Sequence, residues 1–378
     1  GGGGGKGSTA SKRGGGSTPV LTAPGCITST PRLTTLRHIA SQEIPIGGTP
    51  FAAQQSNDGL YTFVTVHNGI AVLRNGGGLS LTLLRVIPIP HADKGLTLTA
   101  DGRYLIAVGG GDAVVINAAA AEQGSYPVVG TLASPNGSGA VGALLSPDDR
   151  YLFVTLQNST TMAVFNLRQA LTNGFGPSDF VGFVPLDVQP DGIGASADGH
   201  WLYVTSFRRT PGIPPGEGTL SVVSMSAAEH HPAASVKTTV NAGCSPARVV
   251  TQGNTVWVTA RDSNALLAFS ASRLLADPSH ALIADVPVGP GPIGLTQAGT
   301  DRLVVADSNQ AASNHTHAAG NLAVVSISKA LAGQQAVLGF IPWGGQPHQV
   351  TRSRDNSTLL VTNQVTGQLQ ALTIAGLP

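Results

Sequence analysis

Apolar residues in this chain come in short runs separated by Gly, Pro, Asp or Asn turns, and one such unit recurs seven times. Each copy is an Asp-Gly-type turn, one or two variable residues, then an apolar run that usually closes on Val-Thr. The copies are NDGLYTFVT (57–65), ADGRYLIAV (100–108), PDDRYLFVT (147–155), ADGHWLYVT (197–205), GNTVWVT (253–259), GTDRLVVA (299–306) and DNSTLLVT (355–362). Their closing residues lie 43 to 56 positions apart. That period belongs to four-stranded propeller blades rather than to helical solenoids.

The order of elements within one unit follows from the turns. An inner strand such as 192–196 leads to the Asp-Gly turn and the Val-Thr strand, then a third strand such as 218–224 and an outer strand such as 236–240. The last unit stops after its third strand, near 368–374. Residues 36–46, LRHIASQEIPI, resemble the outer-strand segments LLRVIPI, DFVGFVPL, LIADVPV and AVLGFIPW. The expected fold is therefore an all-β, seven-bladed β-propeller of four-stranded blades, closed by an N-terminal outer strand paired with the last blade. Closure removes two open sheet edges that would otherwise invite aggregation.

The LYVT, LFVT and LLVTN segments, each after a Ser/Ala-x-Asp-Gly-like turn, resemble the YVTN family of bacterial propeller repeats, which shades into the propeller lactonases. The resemblance covers residues 46–378, weakly in blades five and six. It implies strands and turns and brings no catalytic residue with it.

Two domains are expected: a Gly/Ser/Thr-rich tail over 1–31 and the propeller over 32–378. Charged residues make up 11 % of the chain, against about a quarter in ordinary soluble domains. The net charge of +1 gives no field to gather nucleic acid or an anionic membrane. No apolar stretch approaches the roughly 18 residues that span a bilayer. The low charge and the Gly1 start suit an extracellular or periplasmic protein after removal of a signal peptide. The tail, with five leading glycines, is expected to pack on a partner surface. Head-to-tail self-association follows as the expectation, extending into filaments if the rotation does not close.

In the expected topology the turns entering the inner strands share one face. Aligned by spacing, they carry Phe51, Lys94, Val141, Asp191, Arg248, Ile293 and His348. Asp191, Arg248, His348 and Lys94 would ring the mouth of the central channel, where an acid, a possible base and two cations could polarise a lactone carbonyl or hold a carboxylate. The expected function is a non-enzymatic structural or binding module. The alternative is a lactonase-like hydrolase or lyase using those four residues, which could equally form a solvated ion-pair ring. His315 and His317 form a His-x-His in a polar loop. They are weak metal candidates, since zinc wants four ligands and only Asp307 lies near in sequence. No cofactor is expected: Gly109-Gly110-Gly111 meets no helix, and no Gly-x-Ser-x-Gly elbow is present. Cys26 and Cys244 are the only cysteines. A disulfide within the chain needs a definite path round the rim, whereas stacked subunits would bring Cys26 of one copy to Cys244 of the next.

Overall fold

The computed structural model describes residues 21–27, 29–32, 34–37, 39–209, 216–310, 319–343 and 345–378. Among them seven four-stranded antiparallel sheets form a ring. Blade four shows the pattern in full: Val188–Ala195, Trp201–Arg208, Glu217–Ser224 and Val236–Cys244, from the channel outward. The other blades begin at Ala53, Leu96, Ala140, Pro246, Pro292 and Pro347.

Two recurring side-chain devices explain the repeat. In the Asp-Gly turn, the Ser56 and Ser146 hydroxyls donate to Asp58 and Asp148 at 2.6 and 2.7 Å. Each carboxylate in turn accepts the amide two residues on, from Leu60 and Arg150. Thr99 with Asp101, Ser196 with Asp198 and Ser353 with Asp355 repeat the arrangement. These bonds hold the five carboxyls below their ordinary range and fix a reversal that backbone entropy would otherwise oppose.

The second device is the closing threonine, whose buried hydroxyl ties five of the blades to the next, while blades two and six close on Val108 and Ala306. Thr65 donates to the carbonyl of Lys94, Thr155 to Asp191, Thr205 to Ala247, Thr259 to Ile293 and Thr362 to Phe51, at 2.6–3.0 Å. Close approach of the blades at the channel also needs small residues. A Cβ on Gly142 would lie 2.7 Å from the Asp191 carbonyl, and one on Gly294 2.6 Å from that of His348.

The core is correspondingly divided among the blade junctions. Phe63, Ile70 and Val72 of blade one meet Leu105, Ala107 and Ile116 of blade two. Trp257 and Leu266 of blade five meet Leu303 and Val305 of blade six. Among the described residues five short α-helices lie between third and outer strands, beginning after Asn117, Asn166, Ser224, Ser270 and Ser326. Each of those side chains accepts an amide of the first turn, as N-caps do. His230 ends the third of these helices and His231 caps it.

Ring closure uses Ser41–Pro45, which pairs antiparallel with Gln368–Thr373. This is shorter than the expected 36–46. Leu36 instead belongs to the rim of blade six, where its amide donates to the Phe340 carbonyl at 2.8 Å and Thr35 bridges Phe340 in parallel. Ile44 is buried with Leu360, Leu369, Val64 and Leu73, sealing the junction of blades seven and one.

The described part of the segment before this strand lies along the chain's own rim as a strap: Gly25, Cys26, Ile27 and Ser29 are bonded at the junction of blades four and five, and Leu36 at blade six. Cys26 and Cys244 are disulfide-bonded within one chain, with Cα atoms 5.2 Å apart, so the covalent lock between copies gives way to an internal one. The rim path that an internal bond requires is this strap. Residues 1–20 of the tail lie outside the described residues.

Candidate channel-mouth site

The Thr hydroxyl bonds fix the backbone where the aligned inner-strand residues begin, and the structure brings Phe51, Lys94, Val141, Asp191, Arg248, Ile293 and His348 together. They line one polar cavity of about 130 Å³. Gln157, Phe207, Arg261 and Gln364 also line it. These four were not placed at the mouth from the sequence, although each follows the closing Thr of its blade by two residues. That offset is the signal that could have found them.

Asp191 is buried, 2 % exposed, and ion-pairs with the Arg248 guanidinium. Burial pushes its carboxyl upward, while Arg248, Arg261 and Lys94 favour the charged form. Direct contact with a guanidinium keeps it the anionic partner at neutral pH. Phe51 forms the floor. Lys94 Nζ lies 5.1 Å and Arg248 Cζ 5.6 Å from its ring centre, and the His348 ring packs beside it at 4.6 Å. Both cations are thus held by the aromatic face as well as by charge.

His348 Nε2 faces Arg248 Nη2 at 3.4 Å, and its buried Nδ1 has no hydrogen-bond partner. Burial and then the charges of Arg248, Arg261 and Lys94 hold its pKa well below the ordinary value. The ring is therefore neutral at physiological pH. Arg261 donates its Nε–H to the Gln310 carbonyl at 2.6 Å. Burial lowers its pKa, opposed by Asp262 and Asp191, but guanidinium remains charged throughout the physiological range. Among the described residues neither Lys94 nor Arg261 has an ion-pair partner. The mouth thus holds three cations and one carboxylate, and that carboxylate is already engaged.

His315 and His317 lie outside the described residues, and no group of three or more His, Cys, Asp or Glu that could hold a metal is found among the described ones. Asp307 is fully buried. It accepts the Gly289 amide at 3.0 Å through Oδ2, and its Oδ1 is unpartnered. No described helix is long and apolar enough to cross a membrane.

No family model and no curated protein matches the chain. Solved structures do. Kuenenia stuttgartiensis hydrazine synthase is 13 % identical with a TM-score of 0.65, over 86 % of this chain and 95 % of that one. The Myceliophteria thermophila Cps50 (Swd1) β-propeller domain is 12 % identical with a TM-score of 0.64, over 88 % and 98 %. A chain of the mitotic checkpoint complex is 14 % identical with a TM-score of 0.65, over 93 % and 96 %. At this identity the likeness shows the seven-bladed fold and leaves function to the site.

Proposed function

We propose that this protein is a non-enzymatic binding propeller that holds a small organic carboxylate at the channel mouth. The observation that carries the reading is the charge balance: Lys94, Arg248 and Arg261 converge on a small cavity whose single carboxylate, Asp191, is consumed by Arg248. A ligand carboxylate supplies the missing counter-charge. Gln157 and Gln364 offer amide donors, while Phe51 and Phe207 wall a compact apolar part. The cavity is well below the roughly 300–1,000 Å³ of drug-sized pockets, so the ligand has few carbon atoms. Calorimetric titration of acetate, malonate and succinate tests this. Saturable binding by at least one supports it, and no heat with any of them overturns it.

The lactonase-like alternative draws less support from the same geometry. It needs a group able to exchange protons with substrate. Asp191 is buried in an ion pair, and His348 is a weak base with one nitrogen against Arg248 and the other shielded. Release of product from a panel of lactones by purified protein would favour it.

Export to an extracellular or periplasmic compartment is supported by the Cys26–Cys244 bond, since such bonds persist where the surroundings are oxidising. Self-association through the tail narrows to residues 1–20, because Gly25, Cys26, Ile27, Ser29 and Leu36 are engaged by the chain's own rim. Sedimentation of protein lacking residues 1–20 tests it: an unchanged mass distribution excludes the tail as the contact.

A further inference from the structure

We infer that the Cys26–Cys244 disulfide is a redox modification site that controls how firmly the channel mouth is held. Cys26 is an exposed residue and Cys244 is fully buried, so the Cys26 end of the bond is the one nearer to solvent. The other end closes the outer strand of blade four, four residues before Arg248.

The strap reaches the mouth through a compact set of hydrogen bonds. The Ser263 hydroxyl donates to the carbonyl of Gly25 at 2.9 Å, and the Ile27 amide donates to the Asp262 carbonyl at 2.8 Å. Asn264 Nδ2 adds bonds to the carbonyls of Ile27 and Ser29. Ser263 Oγ also accepts the Cys244 amide at 2.9 Å, and the Ser245 hydroxyl donates to Asp262 Oδ2 at 2.6 Å. The Arg261 amide closes the set on the Ser245 carbonyl at 3.1 Å. Arg261 and Arg248, two of the three cations of the mouth, thus flank the structure on which the strap is fastened.

The disulfide keeps the strap in place. Part-exposed hydrogen bonds return little net free energy, because water replaces them. Ordering the same stretch of backbone costs more than they supply. Without the covalent anchor, Gly25, Ile27 and Ser29 leave the rim, and Asp262, Ser263 and Asn264 lose the partners that the strap supplies to the Arg261–Ser263 turn.

Reduction proceeds by thiol–disulfide exchange. The thiolate of a dithiol reductant attacks Cys26 Sγ, and the S–S bond breaks. Cys244 leaves as a thiolate and takes up a proton. The second thiol of the reductant then displaces Cys26, which is released as a thiol, and the reductant becomes the cyclic disulfide. Two electrons and two protons pass to the protein.

Hydrogen–deuterium exchange of the full chain tests the inference, comparing oxidised protein, protein reduced with dithiothreitol, and Cys26→Ser. The expected result is exchange about tenfold faster at the amides of 244, 245, 247, 248 and 261–264 in the reduced and Cys26→Ser forms, with 140–145 of blade three unchanged. Equal rates in all forms overturn the inference. So does acceleration in every blade together, which would make the bond a global staple. Succinate titration adds a second reading: affinity is expected to fall about fivefold or more on reduction. This half rests on the carboxylate-binding reading. If oxidised protein binds no carboxylate, that reading fails and exchange alone decides. If exchange rises while affinity is equal in both forms, the coupling to the mouth is overturned.

Discussion

The Thr155 hydroxyl donates a 2.7 Å hydrogen bond to the main-chain carbonyl of Asp191, 36 residues away in the next blade. The same oxygen accepts the Gly142 amide at 2.9 Å, so one buried group serves two blades. A residue that looks like the end of a strand motif is therefore also what places a mouth residue. Thr155→Val keeps the shape and removes both bonds, leaving a buried carbonyl unpaired. The expected cost is about 1–3 kcal/mol, read as a melting temperature lower by roughly 2–4 °C per kcal/mol. An unchanged melting temperature would show that blade docking does not depend on this contact.

Ring closure predicts a larger effect at Ile44. Its side chain fills the junction of blades seven and one together with Leu360 and Leu369. Ile44→Ala is expected to destabilise by about 2–5 kcal/mol. Denaturant midpoints measure this. Deleting 36–46 should expose the edge of Gln368–Thr373 and give aggregation rather than a smaller closed ring.

Burial holds the Asp307 carboxyl well above its ordinary range, opposed only by the Gly289 amide. A raised folded-state pKa means that this group's stabilising contribution is greatest below the unfolded value, near 3.8. It is lost as pH rises through the folded one. Asp307→Asn removes the titration, keeps an acceptor for Gly289, and offers a donor to the neighbouring unpartnered Asn321 Oδ1. The variant should melt above wild type near neutral pH, with the gap closing toward about pH 4.

His348 has the opposite sign. Its folded-state pKa lies well below the ordinary 6.5, so its contribution is fully present above that value and is lost as pH falls below it. His348→Gln should flatten the melting temperature between about pH 7 and 5 relative to wild type.

The strand order was legible because the Asp-Gly turn and the closing Thr each make bonds set by local spacing, as Ser56–Asp58 and Thr65–Lys94 show. The same spacing aligned Phe51, Lys94, Asp191, Arg248 and His348 at one mouth. The helices were not read. Segments such as ISKAL (Ile327–Leu331) are too short for a visible period, although Ser326 and its counterparts are cap residues in the same place in five blades. The strap was not read either, because its course is set by long-range partners, Ser263, Asn264 and Phe340, that leave no periodic mark on residues 24–36. Arg261 was hidden for a related reason: its role depends on a loop position that is regular only after the blades are aligned.

The central claim is that unpaired cations at the channel mouth hold a small carboxylate. Titration of acetate, malonate and succinate into wild type, Lys94→Met and Arg261→Met by calorimetry tests it most directly, read on whichever of the three binds wild type most tightly. The account predicts saturable binding with Kd of about 1 mM or tighter in wild type, about tenfold weaker in each variant, a loss on the scale of one charge-assisted hydrogen bond. Absence of binding in wild type, or equal affinity in all three proteins, would contradict it.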